Sequence, residues 1–427
     1  MRAPAALSLA LSLAACSSSR SDTAPGTIVI DEGLDPSLDA AHVTRVILRA
    51  RQGDGSERPV YDGALPADRR IPLGEVSTST PVAFVIEGRD DAGDVVARGG
   101  TPFVFPAGDM PVLVGAVGQA TRLSRPLASP ATRSTLVGAR YLFSTSELRG
   151  TLYDLSRLDT LADPRGLPRP AQTLLSWRDL AVMIDEAGAS SIDTTTGASG
   201  VNSLGGAAVA DVLGGAVVVG TDATYLAGPA RASGAKTSTI VRFADAISTV
   251  SLSTPRRGAA AGWIDGTGLV VTSGDVDGPV EIVEAGATAP TAGSFALPAR
   301  RGGVLAGLGE GAFVLLGGVD PSTGAPAPTL RVSLSCVTDC ASASAAPIDL
   351  AWGRAHAAGP GRSFVVGARA SGETRAYLVD ATGEREIALK ITRTGGDSVA
   401  VGDGLVVIAG GVDAAGAPVL TLEQLTP

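Results

Sequence analysis

Few residues in this 427-residue chain carry obvious chemistry: two histidines, His42 and His356, and three cysteines, Cys16, Cys336 and Cys340. Acid–base catalysis and most zinc or copper sites draw on imidazole, so this count excludes a His-rich metal site. Both histidines are read as structural, His42 starting an alternating strand and His356 standing ahead of an apolar run. Acids are plentiful, 43 Asp and Glu in all. Glycosidase chemistry, which needs two carboxyl groups roughly 5 to 10 Å apart, therefore stays open. Yet the acids sit in turns such as "GDVDG" (274–278) and "GVDP" (318–321), where Asp accepts hydrogen bonds from nearby backbone. Asp275 and Asp277 form a calcium candidate with its remaining oxygen ligands out of sight. No other metal and no cofactor is expected, because no strand–Gly-rich loop–helix unit with a Lys supports a phosphate site.

The cysteines divide. In an extended strand, residues four apart lie about 13 Å from each other, too far to bridge. "CVTDC" (336–340) must therefore turn if a disulfide forms, and Val-Thr-Asp permits a turn. The alternatives are two free thiols or a metal site, which wants further ligands that the sequence does not offer. The disulfide is the preferred reading, provided the chain is exported to an oxidising compartment.

The N-terminus supports export. "MRAPAALSLALSLAAC" has one early Arg, an apolar run too short to span a bilayer, and small residues before Cys16. Leu13-Ala14-Ala15-Cys16 resembles the lipobox of bacterial lipoproteins. The resemblance implies a signal peptide over 1–15, cleavage before Cys16 and lipidation of that cysteine. Ser17, not Asp, follows, which by analogy with enteric sorting implies the outer membrane, on its periplasmic or external side. Residues 16–26, rich in Ser, read as a lipidated Cys and flexible tether.

The elements that would position any site are strands. Gly numbers 55 and Pro 27, with short apolar runs and few aromatics, which favours many strands and turns over long helices. Net charge is −9 and no basic cluster stands out, which argues against a nucleic-acid partner. Over 27–118, runs such as "VTRVILRA" (43–50) and the hairpin "EGRDDAGDVV" (87–96) read as consecutive antiparallel strands. About seven strands in about 90 residues suggest an immunoglobulin- or fibronectin-like β-sandwich, serving as a spacer.

From residue 119 to 427 the chain repeats. "FVLLGGVDPSTGAP" and "LVVIAGGVDAAGAP" carry Gly-Gly pairs, Gly317-Gly318 and Gly410-Gly411, about 93 residues apart, or two repeats of about 46. A degenerate unit with a single Gly367 lies between them, and Gly274 marks an earlier one. Apolar runs centre near residues 142, 182, 218, 271, 315, 366 and 407. Each is expected to be the inner strand of one blade, and the long 218–271 interval leaves an insertion open. Arginines precede the runs: Arg257, Arg301, Arg354 and Arg393. This order resembles the kelch repeat, Arg-x-Gly/His, apolar strand, Gly-Gly, turn, strand. The resemblance implies a kelch-like β-propeller, like the central domain of galactose oxidase, of about seven blades, with six or eight possible. The marker residues would then be structural. The copper oxidase of that fold needs Tyr and His ligands, and this chain has only 5 Tyr and 2 His.

The leading reading of this all-β chain is a non-enzymatic, lipid-anchored cell-envelope protein whose propeller is a binding scaffold for a protein or glycan. The alternatives are a carbohydrate-active hydrolase or lyase using carboxylates in the propeller funnel, and a purely structural envelope lipoprotein.

Overall fold

The computed structural model describes residues 23–427, apart from 78, 162–164, 195, 203–208, 228–234, 273, 337–339 and 345–346. Cys16 and the segment read as a signal lie outside the described residues.

The first seven strands are β1 (Thr23–Asp31), β2 (Arg45–Arg51), β3 (Glu57–Ala64), β4 (Arg70–Ser77), β5 (Ala83–Arg89), β6 (Val95–Gly100) and β7 (Gly108–Ala116). They form one sheet in the order β3-β2-β5-β6-β7-β1-β4. Apolar residues alternate along β1, β2 and β5, and this one-sided pattern curls the sheet around a single core that includes Ile28, Leu48, Ile71, Phe84 and Val112. The sandwich expectation is met in part. Strand number and shared core agree, while the strands are joined edge to edge in one nearly closed sheet. The expected hairpin is present: the Asp90 carbonyl accepts from Gly93 N–H at 3.1 Å, and Gly93 takes φ 89°. β1 already begins at Thr23, so the tether expected over 16–26 is shorter at its far end. His42 does not start a strand; it is exposed in a left-handed turn ahead of β2, with φ 54°.

Seven further sheets follow, six built from consecutive strands. The last blade takes three strands from the C-terminus and its fourth, β8 (Ala120–Arg122), from the other end of the propeller. Glu423, Gln424 and Leu425 pair with Arg122, Thr121 and Ala120, closing a ring of seven blades. Among the described residues the one helix is the turn Val209–Val212.

Six of the seven apolar runs are the second strand of their blade, not the innermost. Tyr141–Ser146, Leu180–Asp185, Gly268–Thr272, Ala312–Leu316, Ser363–Ala368 and Leu405–Ala409 each lie between two hydrogen-bonded neighbours. That position buries both faces, which is why the run is continuous. In the third blade the run at 218 is the inner strand, Ala216–Val219, and Thr224–Ala227 is the second. The long interval to 271 is therefore a comparison of unlike strands, not an insertion.

The glycine pairs sit immediately after the second strands of blades five and seven, with φ of 65° and 78° at Gly317 and Gly318 and 71° and 83° at Gly410 and Gly411. A Cβ on Gly317 would stand 2.2 Å from the Leu350 carbonyl oxygen, and one on Gly410 2.0 Å from that of Ala131. Both carbonyls belong to the segment leading into the next blade. They accept from Gly318 N–H at 2.7 Å and Gly411 N–H at 3.0 Å. Gly274 holds the matching place in blade four, with φ 109°. Gly367 does not; it lies inside a second strand, where its Cβ would meet the Trp352 carbonyl at 2.4 Å.

The recurrent arginines are Arg256, Arg300 and Arg393, all buried. In two blades this is one residue before Arg257 and Arg301, the positions the sequence suggested. Arg301 is exposed, and Arg257 faces Asp275. The Arg300 guanidinium donates to the Gly317 carbonyl at 2.9 Å, and Arg393 donates to that of Gly410 at 3.1 Å. The two sequence markers thus meet in space: the arginine caps the carbonyl of the first glycine. Arg256 and Arg393 also pair with buried Glu281 (2.8 Å) and Glu423.

Gly410→Ala is expected to lower stability by about 2–4 kcal/mol, combining a strained left-handed residue with a backbone collision. Gly416→Ala, with φ 79° but open space around it, should cost about 1 kcal/mol. Urea unfolding midpoints check both.

Candidate functional site

Two places are candidate sites, the ring seam and an end face. The first is the ring seam, where blades six, seven and one meet at their inner strands, Trp352–Ala357, Asp397–Gly402 and Arg133–Val137. Arg354, read from sequence as a repeat marker, lies within an inner strand. Its guanidinium approaches Asp397 at 3.2 Å and the Ser134 and Ser398 carbonyls at 3.4 and 3.3 Å. Asp397 accepts from Ser134 N–H at 2.8 Å, joining the last blade to the first. Two residues on from Arg354, on the same side of the strand, His356 Nε2 lies 2.9 Å from Ser398 Oγ. Desolvation, reinforced by the Arg354 charge, brings the His356 pKa down to about 3. Among the described residues, Asp397 is the sole carboxylate on the seven inner strands, and it is engaged by Arg354 and Ser134. The seam therefore offers a neutral imidazole and a paired acid.

The second place is an end face. The turns joining first and second strands in blades one, two and three, with the Phe243–Ala244 corner of blade three, surround an open depression of about 550 Å³. Trp177 forms its wall. The indole Nε1 donates to the Ala244 carbonyl at 2.5 Å, and the ring meets Phe243 edge-on at 6.4 Å. The Arg178 guanidinium lies 5.0 Å from the Trp177 ring centroid and donates to the Asp245 carbonyl. Arg178 and Asp179 make a two-residue hairpin turn with φ of 50° and 59°. Such a turn favours Asn-Gly, and side chains here carry strain of about 1 kcal/mol each. Val219, 73% exposed, borders Gly220 on the rim.

The remaining sequence candidates are scattered. Asp275 faces Arg257 at 3.6 Å and Lys236 at 3.7 Å, and Asp277 accepts from Ala299 N–H at 2.6 Å. Among the described residues no group of three or more His, Cys, Asp or Glu could hold a metal ion. Cys336 and Cys340 are disulfide-bonded, with Cα atoms 5.3 Å apart, between the last two strands of blade five. The depression escaped the sequence reading because its residues come from three blades. Its one local signal is "SWRDL" (176–180), a charged pair where a hairpin turn would normally carry Asn-Gly.

No family model matches the chain, and no curated protein matches it. Among solved structures it is similar to a chain in the crystal structure of the mitotic checkpoint complex, at 10% identity and a TM-score of 0.42, covering 69% of this chain and 86% of that one. It is also similar to the structure of YjhT, at 16% identity and a TM-score of 0.33, covering 46% and 72%. Likeness at this level carries no argument, and the propeller stands on its own strand pairing.

His356 binds no proton in the fold until far below 6.5, its ordinary value. The unfolded chain takes up that proton first, so stability is fully present above pH 6.5 and drains as pH falls towards 3. His356→Gln should flatten part of that fall in urea titrations between these limits. An unchanged slope would mean that His356 protonates freely in the fold.

Proposed function

We propose that this is a lipid-anchored protein of the bacterial cell envelope, placed at the outer membrane, whose propeller is a binding scaffold for a protein or glycan partner. The observation that carries the reading is the depression on the end face. An aromatic wall and an arginine over it stand at a turn held in an unfavourable conformation, and an exposed valine of the next blade stands on the rim. Strain kept at an accessible surface points to use of that surface. The N-terminal domain, in its sandwich-like role, spaces this face from the membrane. The blades are read as kelch-like, supported by the arginine–glycine contact and by glycine pairs after the second strands. Lipidation is supported by Leu13-Ala14-Ala15-Cys16 and by the disulfide, which suits an exported protein.

Two measurements test this. Arg178→Asn combined with Asp179→Gly relaxes the turn. It should raise stability by about 1 kcal/mol while weakening capture of partners from envelope extracts. Equal recovery by variant and wild type would remove the depression from the binding reading. Fatty-acid labelling should be lost in Cys16→Ser; a wild-type protein that takes up no label would overturn the anchor.

A further inference from the structure

The loop joining β6 to β7 reads Thr101-Pro102-Phe103-Val104-Phe105-Pro106-Ala107. From Pro102 to Ala107 its side chains alternate between buried and exposed. Pro102, Val104 and Pro106 are buried, whereas Phe103 is 40% and Phe105 59% exposed. Val104 is fixed inward by a double hydrogen bond with Val82, N–H to carbonyl at 2.8 and 3.0 Å. The two phenylalanines are therefore held outward on one side. Few features of the chain spend large apolar area on solvent in this way, and the chain has only eight phenylalanines.

The place of this loop identifies its occupant. β1 and β7 run parallel, with Gly26 opposite Gly108. Thr23 and Phe105 each stand three residues before that rung, so the chain enters the domain at the end that carries the loop. β4 agrees, because Ser77 pairs with Thr23 and leads within a few residues to Val82, the partner of Val104. Residues 23–26, 77–82 and 101–107 contain no charged side chain. From Cys16 to Thr23 the chain can reach at most about 25 Å. A lipid on Cys16 would hold this end against the headgroups, with these three uncharged segments beside the charged β2–β3 turn of Asp54, Glu57 and Arg58.

We infer that Phe103 and Phe105 insert into the membrane interface as a second contact beside the lipid anchor, fixing the orientation of the protein on the bilayer. This rests on the anchor reading. An aromatic pair flanked by uncharged segments suits the headgroup–acyl boundary, and a single weak contact gains when a tether already holds the protein there. The opposite end of β6, the Asp90–Gly93 turn, points away from the membrane.

The test places an environment-sensitive fluorophore at Ala107→Cys, with Ala92→Cys in the far turn as control. Native Cys336 and Cys340 are bonded to each other. Each protein is studied on phosphatidylcholine–phosphatidylethanolamine vesicles in two forms. One is the mature lipidated chain; the other is the chain from Ser17 with a histidine tag on nickel-chelating lipid, which replaces Cys16 as the tether. The label at 107 should shift to the blue and be quenched by shallow spin-labelled lipid in the tethered form, while the label at 92 stays in water. Phe103→Ser with Phe105→Ser should abolish the quenching. A wet label at 107 on vesicles that hold the protein overturns the inference, as does a label already dry in buffer, which would mean a protein covers the loop. If the tethered form behaves as expected but the natural chain never floats with vesicles, the anchor reading fails and the loop's affinity for lipid stands.

Discussion

The ring depends on a strand of three residues that its last blade does not supply. Ala120–Arg122 leaves the N-terminal domain and completes the sheet begun by the final residues of the chain. A propeller blade alone exposes two apolar faces, so every blade needs a neighbour on both sides and the ring must close. Closure is reinforced around this one strand. Arg122 grips Asp35 through its guanidinium at 2.8 Å and holds that carboxyl below its usual range. Its carbonyl accepts from Leu34 N–H at 2.9 Å. Arg51 of β2 pairs with Asp403 in the last blade. Near the axis, Asp397 and Gly411 bond to the first blade through Ser134 and Ala131. The N-terminal domain thus belongs to the lock and is not a bead on a string.

The buried arginines show what kind of stability the repeat uses. A guanidinium out of water is costly unless its N–H groups are matched. Arg256 and Arg393 meet glutamates, but Arg300 has only the carbonyls of Leu315, Gly317 and Pro328, and burial brings its pKa down to about 10. It stays charged at neutral pH. Such a group adds little net energy and much geometry, since one planar fork fixes the end of the second strand against the start of the first.

This explains how much of the fold was legible. Six of the seven apolar runs show in sequence because a second strand, covered on both faces, must be continuous. The glycine pairs show because no other residue tolerates both the left-handed backbone and the approach of the next blade. The arginine register was less legible: "RRG" offers two arginines, and only packing decides that Arg256 and Arg300 turn inward. In the third blade Ala216–Val219 is the inner strand as expected, whereas in the other six blades the run is the second strand, because an apolar run alone does not tell a blade's first strand from its second. Beyond the charged pair in "SWRDL" the end-face depression was not legible, because Trp177, Ala244 and Gly220 are neighbours only once the blades have assembled. His356 was placed ahead of an apolar run, but its desolvation by blades six and seven is a property of the seam.

The parallel pairing of β1 with β7 has a mechanical meaning. Were the N-terminus tethered as proposed, tension between it and the propeller would enter at the start of β1 and leave at the end of β7. For two parallel strands that load acts along the ladder, so the rungs from Gly26–Gly108 to Asp31–Leu113 share it together. An antiparallel hairpin loaded at its open end would instead unzip rung by rung. The parallel pair therefore has the geometry of a shear clamp, which resists a pull at those two points more than a hairpin would.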